Sequence, residues 1–341
     1  MRTTVHSASG GTRFPLWYGR REGSGEPGQR TDAAPATAPR ASWDRTAGIR
    51  LVPGNEVRQT GRMHSDPAPA LRALNPQLDE IDGTVSVWYG PVGGPARFTR
   101  DPQHTHYAAS TMKVAVMAAA YRLDQAGALD LDSAVPVHDD FTSVADGTFR
   151  NDPDYDNDPE PWTLLGGWAS LRWLIRRMIV KSSNLATNLV LEQVGLDPVA
   201  GVLTDVGARD SVVARGIEDY SAAQQGVSNL VTAADLAMLL AAIRQGRVAG
   251  TEADASMFEV LLAQEQVEDV VRGLPPGTTV AHKNGWVDGI RHSVALVVPS
   301  DAPEFVLATC STSSLDEEGG KKLVAEVAAA AWSDRARDSD G

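Results

Sequence analysis

Strand-like segments stand near both ends of this chain with a long stretch of helical periodicity between them. That order is the tightest constraint on its fold. TVSVWYG (84–90) and ARFTRD (96–101) are rich in β-branched and aromatic residues and are joined by PVGGP, a hairpin-type turn. After Pro275, TTVAHKNG, SVALVVPS and FVLATCS have the same character, and EEGGKKLVAEVAAAAW reads as a terminal helix. Between them, apolar residues recur at helical spacing over 110–129, where Gly127 is a C-cap, and over 170–180. The next helical run is SNLATNLVLEQV, stopped at Gly195. Another spans 232–246, opening on Thr232 and Asp235 in capping-box spacing and closing on Gly246, and TEADASMFEVLLAQ is a further one. Leu71, Leu74 and Leu78 predict a short opening helix over 70–81. The expected fold is α+β: one antiparallel sheet built from the N- and C-terminal segments, flanked by helices, with an all-helical subdomain inserted. The α/β part falls at about 66–107 and 276–335 and the helical part at about 108–275, with no internal repeat.

Charge separates this region from what precedes it. Residues 1–62 hold ten Arg, no Lys and five acidic residues, so they carry +5 and leave −18 of the chain's −13 to the remainder. The early stretch is rich in Gly, Pro, Ser and Thr without periodicity. Residues 1–65 are therefore expected to be a disordered basic tail, residues 66–335 the folded domain, and 336–341 a disordered end. The acidic domain is unsuited to nucleic acid, and no apolar run reaches the length of a membrane span. No charged start followed by an apolar h-region opens the chain, so as written it reads as cytoplasmic, and as a monomer. A lone Cys310, in a buried-strand context, excludes disulfide frameworks and multi-cysteine zinc sites.

Only five lysines occur in 341 residues: Lys113, Lys181, Lys283, Lys321 and Lys322. Lys113 closes Ser110-Thr-Met-Lys at the start of an apolar helix. Residues three apart share a helix face there, and free N–H groups lie near the hydroxyl. Lys181 opens Lys-Ser182-Ser183-Asn184 between two apolar helices. Lys283 lies in His282-Lys-Asn284-Gly285-Trp286 late in a strand. Penicillin-recognising serine hydrolases combine S-x-x-K, S-D-N and K-T-G in that order.

On these motifs, residues 66–335 resemble a class A serine β-lactamase or a related serine hydrolase. The intervals from Ser110 to Ser182 to Lys283 suit the family, and Asn188 matches its asparagine that braces the loop of the deacylation base. The resemblance implies a β-lactam amide opened through an acyl-enzyme on Ser110, with Lys113 as activating partner. Ser182 would relay a proton to the leaving nitrogen, and Lys283 would supply positive charge beside it. Asn184 would bond the substrate's side-chain amide, and the N–H groups of Ser110 and Trp286, next to Gly285, would hold the oxyanion. A small-molecule substrate and no cofactor or metal are implied. Family members are usually exported.

The motifs depart from the pattern at three places. Ser183 stands where the family has Asp, and Asn284 stands where a hydroxyl residue binds the substrate carboxylate. Arg291 offers a guanidinium for that carboxylate, or is a surface arginine. The E-x-x-x-N pair that holds the hydrolytic water is missing, since Glu218 is followed four residues on by Ala222. Glu218 or Asp219 is either the base or a solvated loop residue, the second being favoured. An enzyme that deacylates slowly would behave as a penicillin-binding protein. An esterase or D-alanyl peptidase, or a catalytically reduced ligand-binding member, are the other outcomes. His104 and His106 read as structural. NDPDYDNDPEP (151–161) reads as a solvated acidic insertion at the rim of the cleft.

Overall fold

The computed structural model describes residues 66–336, so the segments 1–65 and 337–341, with the expectations placed on them, lie outside the described residues. The chain opens with helices α1 (Pro69–Ala73) and α2 (Asn75–Asp79), followed by strands β1 (Gly83–Pro91), β2 (Phe98–Arg100) and β3 (His106–Tyr107). After α3 (Lys113–Gln125) come β4 (Ala134–Pro136), β5 (Asp140–Thr142), β6 (Thr148–Arg150) and β7 (Trp168–Ser170). Then follow α4 (Leu171–Val180), α5 (Asn184–Val194), α6 (Leu196–Val206) and α7 (Tyr220–Gln224). Next are β8 (Leu230–Val231), α8 (Ala233–Arg244) and α9 (Thr251–Leu262). The chain returns through β9 (Thr279–Val287), β10 (Ile290–Val298) and β11 (Phe305–Ser313) to α10 (Glu317–Asp334).

The main sheet has five antiparallel strands in the order β2-β1-β11-β10-β9, so both ends of the described region contribute and β9 is an edge. Alternation along each strand divides its side chains between two cores. Val85, Val87, Ala295, Val297, Phe305 and Leu307 face α1, α2 and α10, where they meet Leu71, Leu78, Leu323 and Val327. Ala281, Val294, Leu296, Val306, Ala308 and Cys310 face the helical block. Burial on both faces explains why β9–β11 read as nearly continuous apolar runs.

The opening helix is split rather than continuous. Pro76 cannot donate to the ladder, and its ring clashes with the preceding turn, so the chain restarts with the proline in the first turn of α2. The helix expected over 110–129 begins as a 3₁₀ turn at Ala109–Met112 and becomes α-helical at Lys113. Every residue of α3 from Lys113 to Tyr121 is buried, as befits the central helix of a helical block. Helix α6 was not anticipated, although Leu196, Val199, Val202, Leu203 and Val206 have the required spacing. Gly195, taken as a terminus, only turns the corner at φ 78° between α5 and α6. Thr232 caps α8 as expected, its hydroxyl accepting from the Asp235 N–H at 3.0 Å. The Asp235 carboxylate instead accepts from the Asp210 N–H, so the box is made on one side only.

Candidate active site

Three segments converge where the helical block meets the edge strand. The first is the 3₁₀ turn that carries Ser110. Ala109, just before it, has φ 45°, a left-handed conformation costly for a residue with a Cβ. Ser110 is half-buried, and among the described residues its hydroxyl has no hydrogen-bond partner. Gly285 of β9 lies directly against this turn. A Cβ there would stand 2.8 Å from the Ser110 nitrogen and 2.9 Å from the Thr111 nitrogen, so only glycine lets the strand pass.

The second segment is the turn between α4 and α5. Ser182 is buried and left-handed at φ 62°, and Ser183 caps α5 by accepting from the Ala186 N–H at 3.1 Å. The third is β9, whose alternation turns Lys283 toward the helical block. The Lys283 ammonium donates to the Ser182 hydroxyl at 3.0 Å and to the Asn284 carbonyl at 2.7 Å. From α3, the Lys113 amine reaches the Ser182 carbonyl at 2.7 Å, the Asn184 Oδ1 at 3.0 Å and the Ser182 hydroxyl at 3.4 Å. Ser182 Oγ therefore bridges two buried amines.

Burial dominates the electrostatics. Desolvation lowers Lys113 to about 7, and the nearby Asp156 and Glu218 carboxylates hold it from falling further. Lys283 is driven well below the usual lysine range by desolvation and by the proximity of Lys113, with Asp269 opposing. An amine that loses its proton near neutrality is competent as a base.

Two further segments close the cluster. Glu218, 7% exposed and left-handed at φ 68°, accepts from Asn184 Nδ2 at 3.0 Å and from the Asp152 N–H at 2.8 Å. Desolvation raises its carboxyl, against the hydrogen bonds it accepts. Asn188 pins the preceding residue, donating to the Ile217 carbonyl and accepting from the Ile217 N–H, both at 2.8 Å. Asp219 instead takes the Ser143 hydroxyl and the Val144 N–H and caps α7, which is structural work. The expectation of solvated loop acids is thereby corrected. Both are buried, and Glu218 belongs to the cluster.

The acidic insertion is corrected likewise. Asn151 and Asp158 are buried, and Asp158 pairs with Arg177 of α4. Asp156 accepts from the Ser183 hydroxyl at 3.1 Å, the Leu185 N–H at 2.9 Å and Trp162 Nε1 at 3.0 Å. A carboxylate missing from position 183 is thus supplied from another segment. The compositional signal was present, but alternating Asp and Asn reads equally as a solvated loop.

Lys113, Ser182, Asn184 and Lys283 are joined by hydrogen bonds, and Gly285 brings the strand of Lys283 against Ser110. Asn184 is oriented unambiguously, because only one amide placement gives Lys113 an acceptor and gives Glu218 and the Tyr155 carbonyl donors. Trp286 is half-buried on the edge strand. Asn284 points to the other side. It donates to the Gln266 carbonyl and accepts from the Ser293 hydroxyl, so its amide is engaged away from Ser110. Arg291 also leaves the site. It pairs in register with Trp286 and so lies on the face opposite Lys283. There it packs against Gly320 of α10 and donates to buried Asp269 at 2.6 and 2.9 Å. It is neither at the cleft nor on the surface, being 5% exposed. Lys181 pairs with Glu265 away from the other two amines. His106 is buried between the Thr312 and Ser86 hydroxyls, and desolvation, with neighbouring His292 and His104, drives it down to about 3.

A sheet assembled from both chain ends, an inserted helical block and a serine at the head of its central helix define the β-lactamase/transpeptidase-like class of fold. A family model described as the beta-lactamase enzyme family matches residues 69–334, and the chain belongs to that family. The solved β-lactamase of Sphaerobacter thermophilus is similar at 25% identity and TM-score 0.65, covering 77% of this chain and 95% of its own. A mutant of the class A β-lactamase of the last common ancestor of Gram-negative bacteria is similar at 20% identity and TM-score 0.68, covering 77% and 97%. PBP-A is similar at 17% identity and TM-score 0.66, covering 78% and 95%. No curated protein matches. No helix among the described residues is long and apolar enough to cross a membrane.

Proposed function

We propose that this protein opens a β-lactam amide by acylating Ser110 and releases the product by hydrolysis. The observation that carries the reading is the continuous chain Lys283–Ser182–Lys113–Asn184–Glu218, which links both buried amines, one of them three residues after Ser110, to a buried carboxylate. Ser110 Oγ attacks the carbonyl carbon and its proton passes to unprotonated Lys113. The oxyanion is held by the Ser110 and Trp286 N–H groups. As the C–N bond breaks, the nitrogen takes a proton from Lys113 through the Ser182 hydroxyl, which Lys283 orients. Water then attacks the ester with Glu218 accepting its proton; as the ester C–O bond breaks, that proton passes from Glu218 by way of Lys113 to the Ser110 oxygen, which returns all three groups to their starting states.

One arrangement favours a second substrate class. With Asn284 and Arg291 both turned away from Ser110, Lys283 is, among the described motif residues, the cation that would meet a substrate carboxylate. An uncharged ester or amide therefore loses less here than in a site with a guanidinium.

The test is a fluorescent penicillin followed by intact mass and absorbance, with Ser110→Ala as control. Turnover, or an adduct confined to Ser110, supports the reading. The absence of both adduct and hydrolysis, with small esters also untouched, rejects it.

A further inference from the structure

The proposed reaction needs Glu218 to accept a proton from water, and this chain lacks the asparagine that the family pattern places four residues after its base. We infer that Asn151, from the loop that follows β6, is the positioning residue for the Glu218 carboxylate. It would stand in space where Ala222 fails in sequence. This inference rests on the reading of Glu218 as the deacylating base.

The geometry gives Asn151 few alternatives. It is 4% exposed, and its Oδ1 is held by the Asn188 amide at 2.9 Å. Its Nδ2 points to the Ile217 carbonyl at 3.4 Å, immediately before Glu218. The next residue along, Asp152, donates its N–H to Glu218 Oε2. The Asn151 amide interacts with the same carboxylate in the sense that favours its ionised form. Thus Asn188 orients Asn151, and Asn151 with Asp152 and Asn184 surrounds Glu218. A carboxylate has about four lone-pair sites, so the two bonds from the Asp152 N–H and Asn184 Nδ2 leave room for the Asn151 amide and for the water it must activate. The left-handed backbone of Glu218 requires such support, because that conformation is kept only where the surroundings over-determine it.

The other groups facing Glu218 are Lys113 from α3, Asp156 from the same loop and Tyr220 from α7. Asn151→Asp keeps the acceptor for Asn188 and the side-chain shape, but replaces a donor with an oxygen that repels Glu218. Asn151→Ala removes both bonds.

The experiment follows a fluorescent penicillin on the full chain, measuring acylation and deacylation separately by stopped flow and intact mass between pH 4.5 and 8. Both variants are expected to slow deacylation tenfold or more, with acylation within about twofold. Acyl-enzyme then accumulates on Ser110, and the acid limb of deacylation moves to higher pH, furthest in Asn151→Asp. Unchanged deacylation and pH limb in a turning-over background overturn the inference and leave the Ser110 reading intact. Equal losses in acylation and deacylation with a lowered thermal midpoint also overturn it, since they mark a merely structural residue. A wild type that forms no adduct and hydrolyses nothing removes the parent reading and this inference together. If Asn151→Ala does not fold, Asn151→Asp decides.

Discussion

The Asp156 carboxylate accepts a hydrogen bond from the Ser183 hydroxyl at 3.1 Å, across 27 residues of sequence. The same carboxylate holds the Leu185 N–H and the Trp162 indole, so it fixes the turn that presents Ser182 and Asn184. Asp156→Asn removes the charge and one acceptor. Hydrogen bonds to charged groups are worth roughly 1.5–3 kcal/mol, so the expected result is a thermal midpoint several degrees lower, read by differential scanning fluorimetry. Acylation should fall more than deacylation, because the displaced groups are Ser182 and Asn184. A variant with an unchanged melt and unchanged acylation would show that the loop is dispensable.

On the proposed reaction, Lys113 is expected to set the pH dependence of acylation. Its depressed value of about 7 means that the basic form grows in as pH rises through neutrality. The acylation rate constant is expected to increase up to about pH 8 and then level. A rate that continues to climb toward pH 10 would mean that the amine keeps its ordinary affinity for the proton.

Arg291 is expected to contribute to stability rather than to substrate binding, because it is paired with buried Asp269. Arg291→Ala leaves Asp269 buried without its cation, and breaking a buried pair of this kind costs about 3–5 kcal/mol. The denaturant midpoint should drop accordingly. KM for an anionic β-lactam should rise no more than KM for a neutral ester, and a selective loss for the anion would return Arg291 to the cleft.

Three buried histidines make the fold acid-sensitive. Desolvation lowers His106 to about 3 and His282 and His292 to about 4, below the ordinary value of 6.5. Over the interval from about 6.5 down to about 4 the unfolded chain binds their protons and the folded chain does not. Their stabilisation is therefore complete above 6.5 and is lost as pH falls, by about 1.4 kcal/mol per pH unit per histidine. Glu218, Asp235, Asp254 and Asp269 are raised by burial and act in the opposite sense, so the measurement must be comparative. His292→Gln should show a shallower loss of unfolding free energy between pH 6.5 and 4.5 than the wild type, and parallel slopes would refute the assignment.

The sheet from both termini, the central helix and the motif residues Lys113, Ser182 and Lys283 were all legible because each rests on local pattern or spacing. What escaped depends on long-range placement. Arg291 has the right distance along the chain from Lys283 but the wrong strand parity, which only the pairing with Trp286 reveals. Glu218, Asp156 and Asn151 lie in irregular loops, where no periodicity marks an inward-facing side chain. Asn284 shows the same limit, since its role is set by Gln266 and Ser293 rather than by its place in the motif.

Because β1 pairs along its whole length with β11 and only over three residues with β2, the first long strand of the domain finds its full-length partner only when β11 has been synthesised. On the ribosome the helical block can gather early, with Ser110 and Lys113 already at the head of α3. The wall formed by Lys283 and Gly285 arrives with the final segment. Such non-local pairing is slow to nucleate, and a nascent chain lacks β9 until the whole helical block has been made.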